Sequence, residues 1–274
     1  MFTMVPQTSR HHFETFLTLL ALQPGVLVQV KAAQGSVPRE AGAWMAVFGT
    51  TLVGTIGGGH LEYDAIAKAR ELLDSRPALP ATMRFALGPA LGQCCGGVVE
   101  LRFEVVSKQD IHRLDQQLQP ASSPVALFGG GHVGHAIAAV LSSLPFALTW
   151  IDSRDGVFPD GITGEHSDPV EGAERSLVPE SAVLIMSFSH AEDLEVVAAC
   201  LMRQRAKADL PYIGLIGSKT KWATFRSRLQ ARGFTSDELV HVTCPIGVPG
   251  IEGKAPEVIA IAVAAQLLQV VSGR

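Results

Sequence analysis

Val125-Ala126-Leu127-Phe128-Gly129-Gly130-Gly131-His132-Val133-Gly134 reads as a buried apolar strand that runs through a glycine turn into a helix. Glycines 129, 131 and 134 match G-x-G-x-x-G, and Asp152 stands 18 residues beyond Gly134, at the end of the next apolar run, Phe146 to Ile151. Gly129 would permit the tight bend, Gly131 would let the backbone approach a phosphate, and Gly134 would let helix and strand pack closely. The helix start offers free N–H groups to an anion. His132 could reach a phosphate, Asp152 could accept from a ribose hydroxyl, and His135 reads equally well as a plain helix-surface residue.

Downstream, strand-like Val183 to Met186 and Tyr212 to Ile216 alternate with helical Glu192 to Arg203 and Lys221 to Arg232. A last helix, about Glu257 to Val270, follows Pro256, which suits a first helical turn. Such alternation predicts parallel βαβ units. Ser218 and Lys219 follow a strand end, where ligands of open α/β sheets bind; both could contact a phosphate, or Lys219 is a solvated lysine. Cys244-Pro245-Ile246-Gly247 either lines the same cleft or packs the last helix.

Upstream the rhythm changes. Helix His11 to Leu22 is followed by strand Val26 to Val30, the loop Gly35-Ser36-Val37-Pro38-Arg39-Glu40, and a hairpin of Trp44 to Phe48 with Thr51 to Thr55. A helix from about Leu61 to Leu73 precedes strands Thr82 to Leu87 and Val98 to Val106. A polar helix, Gln109 to Leu118, and the break Pro120-Ala-Ser-Ser-Pro124 mark a change of domain. The expected fold is α/β: an N-terminal mixed α+β domain, 1–107, and a Rossmann-like parallel-sheet domain, 108–274.

Two upstream segments carry candidate chemistry. Gly57-Gly58-Gly59 precedes a helix, where three glycines can form a nest of N–H donors for an anion, with His60 and Glu62 at its mouth; a simple strand-to-helix turn is the plainer alternative. Leu87-Gly-Pro-Ala-Leu-Gly-Gln-Cys94-Cys95-Gly-Gly97 sets two thiols among glycines. Adjacent cysteines do not make a zinc chelate. They could face a soft centre such as molybdenum, oxidise to each other, or sit buried as small apolar side chains. Arg39 could grip a phosphate bidentately or pair with a nearby carboxylate.

Composition sets limits. The 274 residues are 47% hydrophobic and 18% charged with a net charge of −4, enough apolar material for two cores and without the basic stripe of a nucleic-acid surface. Met1 to Arg10 has no apolar run behind a basic start, so no secretory signal is expected. The longest apolar stretch, Val258 to Val271, is interrupted by Gln266 and Gln269, and a span needs about 20 residues. A buried helix, no membrane partner and a cytoplasmic location are expected; the four cysteines make no disulfide framework.

The chain resembles the XdhC/CoxI family of molybdenum-enzyme accessory proteins. The resemblance rests on Gly35-Ser-Val-Pro-Arg39, Gly54-Thr-Ile-Gly-Gly-Gly-His-Leu-Glu62, Leu91-Gly-Gln-Cys-Cys-Gly-Gly97, Phe128-Gly-Gly-Gly-His-Val-Gly134, Asp152-Ser-Arg154, Phe158-Pro159, Tyr212 to Lys219 and Cys244-Pro-Ile-Gly247, in one order along nearly the whole chain. It implies a non-catalytic chaperone that binds the molybdenum cofactor, a molybdopterin, holds it while a sulfurase (a cysteine desulfurase partner) installs a sulfido ligand, and inserts it into an apo xanthine dehydrogenase-type enzyme. A homodimer is the family inclination. Two rivals stand beside it: an NAD(P)-dependent oxidoreductase, for which no acid/base constellation is evident, and a nucleotide-sensing regulatory module.

Overall fold

The computed structural model describes residues 9–75, 80–87, 96–159 and 164–273. They form two compact units, Met1–Pro120 and Ala121–Arg274.

The first unit is a five-stranded antiparallel sheet in the order β3-β2-β1-β5-β4, built from β1 (Gly25–Gln34), β2 (Trp44–Phe48), β3 (Thr51–Gly54), β4 (Ala81–Ala86) and β5 (Val98–Val106). Alternation along each strand sends side chains to opposite faces. Val26, Val28, Val30, Met45, Leu101 and Phe103 pack under α2 (Gly59–Ser75). Leu27, Ala46 and Phe48 pack with Phe13 and Phe16 of α1 (Ser9–Leu22) and with Leu114 and Leu118 of α3 (Ile111–Leu118). That burial places α3 in the first unit, so the compact division comes after Pro120 and not after residue 107 as expected. Ser107 and Asp110 build a capping box over the short 3-10 turn that leads into α3.

Strand β1 runs four residues past Val30, where its sequence reading stops. Lys31-Ala-Ala-Gln has weak strand preference, but the register shifts between Val30 and Ala32 and the pairing continues with Val98 to Glu100 of β5. Because the sheet is antiparallel, β1, β3 and β4 end where β2 and β5 begin. Loops 35–43, 55–58 and 87–97 therefore leave one end of the sheet together.

The second unit is a six-stranded parallel sheet in the order β11-β10-β9-β6-β7-β8, from β6 (Ser123–Phe128), β7 (Phe146–Asp152), β8 (Glu165–His166), β9 (Ala182–Ile185), β10 (Tyr212–Leu215) and β11 (Val242–Thr243). On one face, Val125 and Leu127 pack with α4 (His132–Leu141) and α8 (Pro256–Ser272). On the other, Ala126 and Phe128 pack with α5 (His190–Lys207), α6 (Lys219–Ala231) and Leu239 of α7 (Ser236–Leu239). This is a doubly wound Rossmann-like sheet with its topological switch between β6 and β9. The two-residue strands β8 and β11 are too short to carry a hydrophobic period. Gln266, an interruption in an otherwise apolar helix, accepts from the Tyr212 hydroxyl at 2.6 Å and from Gly247 N at 2.7 Å, and so ties α8 to the sheet. Among the described residues no helix is long and apolar enough to cross a membrane.

Candidate functional site

In the first unit, the three loops at the shared sheet end touch. Gly97 N donates to the Ser36 carbonyl at 3.1 Å, and a Cβ at Gly97 would stand 2.6 Å from that same oxygen. A Cβ at Gly57 would stand 2.5 Å from Pro38 Cβ and 3.3 Å from Arg39 Cγ. The Gly35–Arg39 loop is thus clamped between the glycine turn and the end of the cysteine segment. Cys94 and Cys95 themselves lie outside the described residues.

Gly57, Gly58 and Gly59 all have positive φ, 122°, 78° and 66°, a backbone that side-chain-bearing residues resist. Their turn is closed by the chain's own carboxylate. Glu62 Oε2 accepts from Ile56 N at 3.0 Å, Gly58 N at 3.1 Å and the Thr55 hydroxyl at 2.5 Å, while Gly57 N donates to Thr55 Oγ1 at 3.1 Å. Glu62 therefore fills the nest and does not stand at its mouth. His60 is half exposed, 3.7 Å from Asp64 and stacked on Tyr63.

Arg39 is exposed and has no ion-pair partner among the described residues. With His12, Gln29, Trp44, Thr55 and Gln117 it borders a groove of about 610 Å³ that lies wholly in the first unit, on the sheet face covered by α1 and α3. Burial, with His11 and Arg39 beside it, lowers the His12 imidazole below its ordinary value, so the ring is neutral at pH 7 and the cation of this wall is Arg39.

In the second unit the quoted turn behaves as its spacing predicts. Gly129 has φ 129°, and a Cβ there would stand 2.0 Å from the Met186 carbonyl oxygen across the switch point. A Cβ at Gly134 would stand 2.1 Å from the Gly129 carbonyl oxygen, so helix and strand pack through that glycine. A Cβ at Gly131 would meet nothing within 4 Å, and no side chain caps α4; its first N–H groups face open space beside exposed His132. His135 is half-buried: its ring packs edge-on to Trp150 and its Nε2 lies 2.9 Å from the Val157 carbonyl, which fixes the loop after β7.

Asp152 is 1% exposed and takes four hydrogen bonds, from Arg154 N at 2.8 Å, Arg154 Nε at 2.9 Å, Arg154 Nη2 at 2.9 Å and Gly130 N at 2.5 Å. Burial alone would raise its carboxyl, but these bonds to Arg154 and Gly130 outweigh burial and hold it below the ordinary carboxylate range. A carboxylate offers about four lone-pair sites, so none is left for a ribose hydroxyl while Arg154 stays paired. Arg154 also covers the Phe188 ring at 4.6 Å.

Ser218 is the N-cap of α6, accepting from Lys221 N at 3.1 Å, and Lys219 is exposed. Sequence reasoning missed the buried pair beside them. Lys221 Nζ donates to Asp193 Oδ2 at 2.6 Å and to the Ile216 carbonyl at 2.8 Å, and Asp193 Oδ1 accepts from Ser187 N and Oγ. Two charged residues 28 positions apart on amphipathic helices carry no signal that they meet. Burial pushes the Cys244 thiol up to about 11. The segment after it packs the last helix: Gly247 N bonds Gln266, and Val248 N bonds the Ala262 carbonyl.

A strand-turn-helix Rossmann unit preceded by an antiparallel unit with clustered glycine loops defines a two-part α/β protein. Residues 125–267 match the XdhC Rossmann domain, and residues 19–86 match the XdhC and CoxI family. The chain belongs to the XdhC/CoxI family. It is 27% identical over 256 residues to the uncharacterized protein YqeB of Escherichia coli, a match covering 90% of this chain and 43% of that protein. The chain therefore spans less than half the length of that relative. The crystal structure of a xanthine dehydrogenase from Bacillus halodurans has the same fold, with a TM-score of 0.79 at 23% identity over 98% of this chain and 97% of that one.

Proposed function

We propose that this protein is a maturation factor that binds the molybdenum cofactor and hands it to a xanthine dehydrogenase-type enzyme, without turnover of its own. Family membership supports the maturation role. The observation that carries the binding site is the convergence of the family motifs 35–39, 54–62 and 91–97 on one end of the first sheet, beside a cation that no described carboxylate neutralises. The glycine turn does not fit the cofactor's phosphate, because Glu62 occupies its donors. Arg39 fits it: a guanidinium grips a phosphate bidentately. When bound, the cofactor supplies a metal centre whose sulfido ligand the client requires. In this reading Cys94 and Cys95 face that centre, a sulfurase is a second partner, and the protein acts as a homodimer in the cytoplasm.

The rival oxidoreductase reading requires Asp152 to accept from a nucleotide ribose, and Arg154 and Gly130 already take up its lone pairs. A nucleotide at the open start of α4 is compatible with the delivery role and does not compete with it.

The test is anaerobic loading with purified molybdenum cofactor, followed by gel filtration and a molybdenum-to-protein ratio. Near-stoichiometric retention is expected, falling about tenfold in Arg39→Ala, the loss of one charge-assisted contact. Cys94→Ala with Cys95→Ala is expected to retain cofactor less well and to lose activation of the apo-enzyme. No retention by the unaltered chain sinks the proposal.

A further inference from the structure

Gln29 is out of place for a strand in a packed sheet. Its neighbours on the same face, Leu27 and Ala46, are buried and apolar, and it lies in register with Trp44. Yet its half-buried amide makes no hydrogen bond among the described residues. A buried amide without a partner is costly, and strand centres normally hold apolar or β-branched residues. Gln29 borders the groove of about 610 Å³, a size suited to a small molecule.

The rest of the lining complements a flat, hydrogen-bonding ligand with a negative end. The Trp44 ring, packed on Phe16 at 5.2 Å, is a platform on the groove wall. Gln117 and Gln119 stand at the end of α3. The Gln117 carbonyl already accepts from Arg113 at 3.0 Å, which leaves its NH2 group to donate. Gln29 offers both a donor and an acceptor, as an amide-edged ring requires. Arg39 stands at the same groove as its unpaired cation.

We infer that this groove binds a fused 2-amino-4-oxopyrimidine ring carrying an anionic substituent, with Gln29 reading the ring edge, Trp44 covering its face and Arg39 holding the anion. The inference deepens the delivery reading and rests on it, since a pterin is one ring of this class; a guanine nucleotide is the other. Nothing in it involves the second unit or the metal.

The experiment titrates the full-length chain with 6-carboxypterin and, separately, with GMP, followed by calorimetry and by tryptophan fluorescence. Saturable binding of one probe is expected, weakened about tenfold by Gln29→Leu and about tenfold by Arg39→Ala, each removing one polar contact. Which probe binds identifies the source of the ring. Gln29→Leu is also expected to keep or raise the thermal midpoint, because an apolar side chain suits that strand position better; a structural glutamine would give a lower midpoint. Trp44→Phe, which keeps a flat ring, is expected to bind more weakly without loss of fold. Failure of both probes to bind, or binding indifferent to Gln29→Leu and Arg39→Ala, overturns the inference. Molybdenum retention without pterin binding would overturn the groove and leave delivery standing, whereas pterin binding without molybdenum retention would do the reverse.

Discussion

The string Gly-Gly-Gly-His occurs twice, at 57–60 and at 129–132, each time between a strand and a helix, and the two copies fold differently. In the first, all three glycines have positive φ; in the second, only Gly129 does. The residue two places beyond each histidine accounts for much of the difference. Glu62 reaches back from the first turn of α2 and gathers the turn's donors onto one oxygen. Gly134, in the equivalent place, has no side chain, and the helix settles directly on the Gly129 carbonyl. One turn is closed on its own carboxylate; the other leaves a helix N-terminus open and borrows its carboxylate, Asp152, from the next strand. A glycine triplet thus says that the backbone bends, and its neighbours decide whether an anion is already present.

The strongest way to break this comparison is Gly129→Ala, which combines a positive φ with backbone contact. A loss of about 4 kcal/mol in the second unit is expected in urea unfolding. Gly131→Ala, with φ −84° and open space around it, serves as the control and is expected to change stability by less than about 0.5 kcal/mol. Equal effects at the two positions would show that the turn is not read as described.

The borrowed carboxylate sharpens the comparison through pH. Asp152 has a folded-state pKa below its unfolded one, so its contribution is fully present above the unfolded value of about 3.9 and is lost as pH falls toward the folded value. Asp152→Asn is expected to be less stable at pH 7 by about 2 kcal/mol, since half-exposed Arg154 can turn to water. The stability curves of the two proteins are expected to converge below about pH 4. A constant gap from pH 7 to pH 3 would show that the carboxylate charge is not what holds the turn.

The smallest expected effect is on the self-closed turn. Glu62→Ala leaves the Ile56 and Gly58 N–H groups without their acceptor, at about 1–2 kcal/mol, and opens the nest. Added sulfate is therefore expected to raise the thermal midpoint of the variant and not that of the unaltered chain. A variant as stable as the original, or one blind to sulfate, would remove Glu62 as the nest's anion.

Much of the fold was legible. The βαβ alternation, the bounds of β5 and α4 and the packing roles of Gly129 and Gly134 followed from local pattern, because a strand-turn-helix unit is specified by residues adjacent in sequence. Less legible were the ends of β1, the side of the boundary on which α3 falls, and β8 and β11. Each depends on a partner far along the chain. The candidate site divides the same way: Arg39 and the glycine loops announce themselves, whereas Gln29 reads as one polar letter in a strand until Trp44, Gln117 and Arg39 are brought around it.

The amino-acid sequence by itself determined the doubly wound second unit, the mixed first unit, the family, and which loops carry chemistry, since glycine spacing and hydrophobic period act over a few residues. Only the tertiary structure decided which charges are already spent. Glu62 fills the first turn and Arg154 saturates Asp152, while Arg39 remains unpaired among the described residues, at a groove lined by Gln29. Whether a charge is free depends on distances of about 3 Å, and the fold sets those distances by bringing separate strands and helices together.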